Sequence, residues 1–380
     1  MSWIVLALPA TIIWLAVFLL AASPWRIREV LDVDEPASDA DLSDIAVLIP
    51  ARNEADTIVT TLHGLDTQGR GLKTVLVDDQ SSDATSAIAR RTARHELRIV
   101  AGQPLPPGWA GKLWALEQGR MHLDRPLTLL LDADIDLAPG LVPALREKMQ
   151  RDQVQFVSVM ATLRMRAFWE KLLMPAFVFF FRLLYPFRLS NDPRWRRVAA
   201  AAGGCILLET RLISDMGGFV ALRSALIDDC ALARLAKSRG ARTWVGLTHS
   251  AHSMRSYRDL GSIWNMVARS AFTQLGYSTA LLLACTLVFA TAFWLPWAAL
   301  SFPNTGAKIL AGLALVMMVI AYLSTLRFYG LSSAWALAMP LIGTLYLAMT
   351  WTSAIRYWRG QRSRWKDRVY TRTSGTGPGG

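Results

Sequence analysis

The stretch LLLDADIDLAPG, Leu129 to Gly140, runs three leucines into three aspartates placed at every second position, Asp132, Asp134 and Asp136. An unbroken apolar run suits a strand covered on both faces. Carboxylates this close repel one another unless positive charge stands between them. In an extended chain Asp132 and Asp134 share one side. An open α/β sheet binds its ligands off the carboxyl ends of its strands, and this strand would deliver a pair of acids there. Asp136 reads as a turn or cap residue leading into "LAPG".

The flanking sequence repeats the pattern. "IAVLIP" (45–50), "TVLVDD" (74–79), "LRIVAG" (97–102), "LTLLLDAD" (127–134) and "VQFVSVM" (154–160) read as buried strands, with helical stretches near 54–66, 82–95, 112–122 and 140–151. Alternating strands and helices imply βαβ units and a mostly parallel, Rossmann-like sheet. Three of the strands close on acids, at Glu54, at Asp78 and Asp79, and at Asp132 and Asp134. Ser81, Ser82 and Asp83 read as helix caps. A cap needs one carboxylate, so capping is a weak account of Asp132 and Asp134. Two carboxylates at a strand end suit a hard cation such as Mg²⁺, which takes one or two acids and fills its shell with phosphate oxygens and water.

The 380 residues are 53% hydrophobic and only 18% charged, against roughly 25% in soluble domains, and they include 15 tryptophans. Residues 4–22 are almost wholly apolar, and Arg26 and Arg28 follow rather than precede them. That arrangement suits an uncleaved anchor with its C-terminal end in the cytoplasm better than a signal peptide. Apolar segments near 278–300, 307–326 and 334–355 are each long enough to cross a bilayer. The net charge of +12 concentrates in the tail, at Arg356, Arg359, Arg362, Arg364, Lys366, Arg368 and Arg372. Basic residues after a span indicate the cytoplasmic side and anionic lipid, and no nucleic-acid-binding signature accompanies them. Three crossings from the cytoplasm would nonetheless put that tail outside. Either one segment is re-entrant or interfacial, or the tail breaks the rule, and Pro340 marks the last segment for irregularity. The expected organisation is an anchor (1–24), a linker (25–44), an α/β domain (45–275) with interfacial helices near 168–190 and 255–277, C-terminal spans (276–356) and a basic cytoplasmic tail (357–380). Cys205, Cys230 and Cys285 are scattered, which argues against a disulfide framework or zinc site. His249 and His252, lacking a third ligand, read as ordinary polar residues.

The ordered set PARNE (50–54), VDDQSSDAT (77–85), GK (111–112), DAD (132–134), GG (203–204), GGF (217–219) and DD (228–229) resembles family 2 glycosyltransferases over about residues 45–274. "PPGWAGKLWALEQG" (106–119), the terminal spans and "WKDRVY" (365–370) are similar to membrane enzymes that glycosylate lipids, above all the hopanoid-associated branch. The resemblance implies a nucleotide-sugar-binding GT-A fold, inversion at the anomeric carbon, Mg²⁺ or Mn²⁺, and a nucleotide-sugar donor, a UDP-sugar first among them. It implies that Pro50, Arg52, Glu54, Asp79, Lys112 and Asp132 bind the nucleotide sugar, and that Asp134 with Asp132 holds the metal. Asp78 would be structural. Asp229 aligns with the general base, which takes the acceptor's proton as the diphosphate leaves. Asp228 would stand with the acceptor or diphosphate residues, and it could at the same time cap the following helix. Gly203 and Gly204 would let backbone approach sugar or acceptor, and Arg255 and Arg269 could contact diphosphate. "WNMVARSAF" (264–272) keeps Arg269 but lacks the Gln and Trp of the QxxRW motif, against processive synthesis and for a single transfer.

The expected enzyme is therefore multi-pass in the inner membrane, its catalytic domain facing the cytoplasm, its acceptor a membrane lipid. Two other classes fit the residues less well. A haloacid-dehalogenase-type phosphohydrolase would want Thr or Val two residues after the second aspartate, where Asp136 stands. A non-catalytic nucleotide-sugar- or lipid-binding protein would not need the full set of acids with Lys112.

Overall fold

The computed structural model describes residues 3–20, 23–33, 39–223, 225, 227–360, 364–365 and 368–369. The chain divides into two units, one of Met1–Arg28, Met165–Arg188 and Ser256–Gln361, the other of Glu29–Arg164, Leu189–Arg255 and Arg362–Gly380.

The second unit is built on one eight-stranded sheet. Its strands are β1 (Ile45–Ala51), β2 (Lys73–Asp78), β3 (Glu96–Ala101), β4 (Leu127–Leu131), β5 (Ile135–Leu137), β6 (Phe156–Thr162), β7 (Cys205–Glu209) and β8 (Thr243–Ser253), in the order β3-β2-β1-β4-β7-β6-β8-β5. β1 pairs in parallel with both β2 and β4, and β2 with β3. That half is the parallel sheet expected from the alternation. β7 then runs antiparallel to β4 and β6, and β5 antiparallel to β8, so the whole sheet is mixed.

Side chains alternate faces along a strand, and the two cores divide accordingly. Ile45, Val47, Ile49, Leu129 and Leu131 pack with Leu62, Leu65, Val142 and Leu145 from the helices Ile58–Asp66 and Leu141–Asp152. Leu48, Leu130, Ile206 and Leu208 face the other way, onto Leu113, Leu116 and Leu232 of the helices Gly111–Arg120 and Asp228–Ser238. This two-sided burial explains the absence of polar alternation in the sequence. Pro50 cannot donate to a ladder, and pairing of β1 with β4 ends earlier, at Leu48. Gly119 lies against the sheet, where an added Cβ would come within 2.3 Å of Leu48 Cδ1. Helix and strand meet here at a distance only glycine allows.

Parts of the segment read as a linker pack on this unit. Leu42 is wholly buried, Val30 bridges to Leu247, and Asp32 accepts from His249 Nδ1 at 2.8 Å. Asp136 sits in β5 opposite His252 rather than in a turn.

In the first unit, three stretches among the described residues are long and apolar enough to cross a membrane, Thr279–Ala299, Thr305–Phe328 and Ser333–Trp358. The N-terminal helix Trp3–Leu19 is shorter, 17 residues, or about 25 Å of rise. Pro296 cannot donate to the carbonyl of Ala292, four residues before it, and the helix passes through a π turn over Ala290–Trp294. The indole of Trp14 donates to that carbonyl at 2.8 Å. The last stretch begins as a 3₁₀ turn, Ser333–Ala338, and becomes α-helical at Met339 with Pro340 in its first turn, where its missing N–H breaks no helical bond. The helix Phe168–Leu184 carries the fully buried Glu170, whose carboxylate accepts from the backbone N–H groups of Arg166, Ala167 and Tyr257 at 2.8–2.9 Å. Most of the basic tail lies outside the described residues. Arg364–Trp365 and Arg368–Val369 pair as two short antiparallel strands.

Candidate active site

The acids gather where β1, β2 and β4 end. Asp132 follows β4 directly, and its N–H donates to the Gly204 carbonyl at 3.0 Å, tying the DAD turn to the residue before β7. The turn is held from two further sides. Thr61 donates to the Ala133 carbonyl at 2.9 Å, and Met254 N–H to the Asp134 carbonyl at 2.8 Å. Asp132 and Asp134 therefore have fixed backbones before anything binds.

Each carboxylate has a cation of the protein's own. Lys112, in the first turn of its helix, places Nζ 2.7 Å from Asp132 and 3.5 Å from Asp228. Arg255, just past β8, places Nε 3.1 Å from Asp134. Burial pulls the Lys112 ammonium down, but Asp132 and Asp228 outweigh it and hold the group above its ordinary value. Asp132 is raised by burial, against the pull of Lys112 and with the added repulsion of Asp134.

Asp229 lies in the same cleft. Its Oδ2 accepts from Gly203 N–H at 2.8 Å and its Oδ1 from Cys230 N–H at 2.7 Å. Burial and the charge of Asp228 push it up to about 6, against Lys112 and the two N–H donors. Asp228 stands in the first turn of its helix, where a carboxylate complements the helix N-terminus, and its side chain also faces Lys112. Pro50, Lys112, Asp132, Gly203, Asp228 and Asp229 line an open cleft with Leu116, Phe219 and Leu232 as its apolar wall.

The ends of β1 and β2 are stitched to each other. Asn53 N–H donates to Ser81, Glu54 N–H to Thr85, Ala55 N–H to Asp83, and Ser82 N–H to Asn53 Oδ1. The serines and Asp83 therefore clasp the PARNE turn, with Asp83 also accepting from Thr85 N–H at 3.0 Å. Asp78 is structural as expected, accepting from Ser81 N–H and the Ser86 hydroxyl. Arg52 donates to the Asp79 carbonyl at 2.5 Å and lies 4.0 Å from its buried carboxylate. Glu54 accepts from Thr57 at 3.1 Å. Arg269 belongs to the other unit, exposed just after the helix Leu260–Ala268.

One positioning group escaped the sequence reading. Glu117, on the same helix as Lys112, accepts from Phe219 N–H at 2.8 Å and from Arg120 Nε at 2.7 Å. It holds the GGF turn beside the cleft. Its i,i+3 spacing to Arg120 carries no sign of that role in the sequence.

A family model described as "Glycosyltransferase like family 2" matches residues 43–270, and the chain belongs to that family. The 4,4'-diaponeurosporenoate glycosyltransferase of Staphylococcus haemolyticus is 28% identical over 110 residues, 29% of this chain and 29% of that protein. The undecaprenyl-phosphate 4-deoxy-4-formamido-L-arabinose transferase of Edwardsiella ictaluri is 33% identical over 107 residues, 27% of this chain and 33% of that protein. The chain thus spans about a third of the length of the curated relatives it matches. Among solved structures, the mannosyltransferase PcManGT from Pyrobaculum calidifontis, in complex with GDP-Man and Mn²⁺, superposes with a TM-score of 0.56 at 18% identity, over 95% of this chain and 100% of that one. The fold is GT-A-like, as the sequence suggested.

Proposed function

We propose that the protein is an inverting glycosyltransferase that moves one sugar from a nucleoside-diphosphate sugar to a hydroxyl of a membrane lipid, with Asp229 as general base. The observation that carries this reading is the Asp229 carboxylate, oriented by two backbone N–H groups and raised to about 6 in the cleft it shares with Lys112 and Asp132. A hydroxyl attacking in a single displacement must give up its proton as the diphosphate departs. A carboxylate near 6 is ionised at neutral pH and a better proton acceptor than an ordinary aspartate.

The remaining residues divide between holding the donor and balancing its charge. Arg52 and Asp79, clasped at the ends of β1 and β2 near Pro50 and Glu54, would receive the base and ribose. Lys112 would meet the diphosphate. Asp132 and Asp134 offer hard oxygen donors, and each attracts a cation within 3.1 Å in this structure. That chemistry fits Mg²⁺ or Mn²⁺. Among the described residues no three His, Cys, Asp or Glu side chains converge, so substrate oxygens and water would complete the shell. Such an ion supplies charge neutralisation at the diphosphate. Arg255 would then pass from Asp134 to the diphosphate. Gly203 and Gly204 would admit the sugar.

A UDP-sugar is the donor assigned first, on the family resemblance. GDP-sugars belong in the same assay, because the superposable mannosyltransferase was solved with GDP-Man. A hopanoid hydroxyl is the first acceptor to test. Relatives named for diaponeurosporenoate and undecaprenyl phosphate set other lipids beside it. The three apolar stretches, with the shorter N-terminal helix as a further anchor, support a membrane-bound enzyme. An inner-membrane placement with catalytic domain and tail both in the cytoplasm rests on the arginines that follow residue 22 and on the basic tail, and requires one of the three stretches to be re-entrant or interfacial.

The test is transfer of labelled UDP- and GDP-sugars into total lipid by membranes carrying the protein, with Asp229→Asn and Asp134→Ala beside it, followed by assignment of the product anomer. Wild type should label a lipid with inverted configuration, and both variants should lose the label. Equal labelling by the variants, or a retained anomer, overturns the mechanism.

A further inference from the structure

The loop after the helix Phe187–Asn191 combines two features that the transfer reaction does not use. Its residues 193–197, PRWRR, are all exposed, with Trp195 at 52%. Three arginines stand there against one aspartate, Asp192, which pairs with Arg194 at 2.6 Å. Arg196 and Arg197 follow the tryptophan directly.

The base of this loop is pinned. Lys237, only 3% exposed, donates from Nζ to the carbonyls of Leu189, Ser190 and Val198 at 3.2, 2.7 and 2.8 Å, which lie on both sides of the excursion. Asn191 exchanges bonds with the backbone of Val245 at 2.7 and 3.0 Å. Within the loop, Trp195 N–H donates to the Asp192 carbonyl and Val198 N–H to that of Trp195. Burying an ammonium costs free energy that these carbonyl bonds offset. The outcome is an aromatic and basic tip presented on a fixed base, so that little ordering remains to be done on binding.

We propose that this tip is a membrane-contact site, in which Trp195 enters the headgroup layer of an anionic bilayer and Arg196 and Arg197 bind lipid phosphates around it. An indole with one apolar body and one N–H favours that layer over water or hydrocarbon. Guanidinium groups are attracted to the negative surface potential of an anionic leaflet, at about fivefold in affinity for each residue engaged. The chain carries three stretches long and apolar enough to cross a membrane, so a bilayer surface is a partner that this protein meets.

The proposal is independent of the transfer reaction and is tested without it. The full chain is reconstituted in nanodiscs of neutral phosphatidylcholine, or of the same lipid with phosphatidylglycerol, and backbone hydrogen exchange is followed over 192–198. Exchange should slow several-fold in the anionic discs, and Arg196→Glu with Arg197→Glu should abolish the difference while leaving the rate in neutral discs unchanged. Equal rates in both discs for wild type overturn the proposal. Protection in neutral discs by added UDP or GDP also overturns it, in favour of a nucleotide contact.

Discussion

Replacing Asp229 by Asn tests the proposed chemistry most directly. The carboxylate takes Gly203 N–H on Oδ2 at 2.8 Å and Cys230 N–H on Oδ1 at 2.7 Å. A carboxamide can accept only one of these, because its NH₂ then faces the other N–H. One partly buried donor is left without an acceptor, which costs about 1–3 kcal/mol of stability. Loss of the base removes roughly 10²–10⁴ in turnover, or about 3–5 kcal/mol of transition-state stabilisation. The wild type adds a signature in pH. Burial and Asp228 raise Asp229 to about 6, and the active form is the ionised one. Turnover should therefore be level above that value and fall about tenfold per unit below it, and residual turnover of the variant should lack this limb. The assay is single-turnover transfer to lipid across pH 4.5–8, with unfolding followed separately. A variant that keeps a tenth or more of wild-type turnover with the same pH limb refutes the assignment of Asp229.

Four further outcomes follow from the geometry. Lys112→Met strips Asp132 and Asp228 of their cation. Breaking a buried pair costs about 3–5 kcal/mol, and with these side chains 21–31% exposed about 2 kcal/mol is expected in chemical denaturation, with the pH limb moving upward because a lowering influence on Asp229 is lost. Arg255→Gln releases Asp134, so Mn²⁺ binding without nucleotide, read by electron paramagnetic resonance of the free ion, should tighten a few-fold, in keeping with an ion pair of about 1 kcal/mol or less. In Gly203→Ala the new Cβ would lie 3.2 Å from Lys112 Nζ and 3.3 Å from Asp229 Cβ. Displacement by a few tenths of an ångström should lower turnover roughly tenfold with almost no change in melting temperature. Trp14→Phe removes the donor to Ala292 O, and unfolding in detergent should show a loss of about 0.6–1 kcal/mol.

The parallel half of the sheet was legible because β1, β2 and β4 are apolar on both faces and end on acids. β7 and β8 were not recognised. β7, "CILLE", is short and follows the glycine pair. β8, "TWVGLTHSAHS", carries a glycine, two histidines and four hydroxyl residues, a composition that reads as loop. Trp244 occupies the space beside Gly246, where an added Cβ would meet its ring at 2.2 Å. That packing is settled by tertiary structure and leaves no periodic trace. Asp136 was read as a turn residue for the same reason, since its strand exists only through pairing with β8. The site residues fared better where a backbone position dictates the role. Asp132, Gly203 and Asp229 meet because β4, the Gly203–Gly204 turn and one helix start converge. Glu117 was hidden because its partner, the N–H of Phe219, is 102 residues away and has no side-chain signature.

The charge balance connects the opening stretch to the proposed reaction. Among the described residues, the cations facing Asp132, Asp134, Asp228 and Asp229 are Lys112 and Arg255. Counted over those residues, four carboxylates against two cations leave an excess of negative charge that one divalent ion would cancel. The direction of the titrations agrees with an excess of that sign, since Asp132 and Asp229 are both raised, by burial first and then by neighbouring carboxylates. On the proposed reading the diphosphate would enter with the ion or after it, because the diphosphate alone would add negative charge to a cleft that already carries an excess of it. Arg255 makes the point testable. Its guanidinium already satisfies Asp134 and can be given up when a stronger cation arrives. The aspartates that seemed to repel one another along LLLDADIDLAPG are thus partly balanced in advance, Asp132 by Lys112 and Asp134 by Arg255. The third, Asp136, is carried away from them into β5.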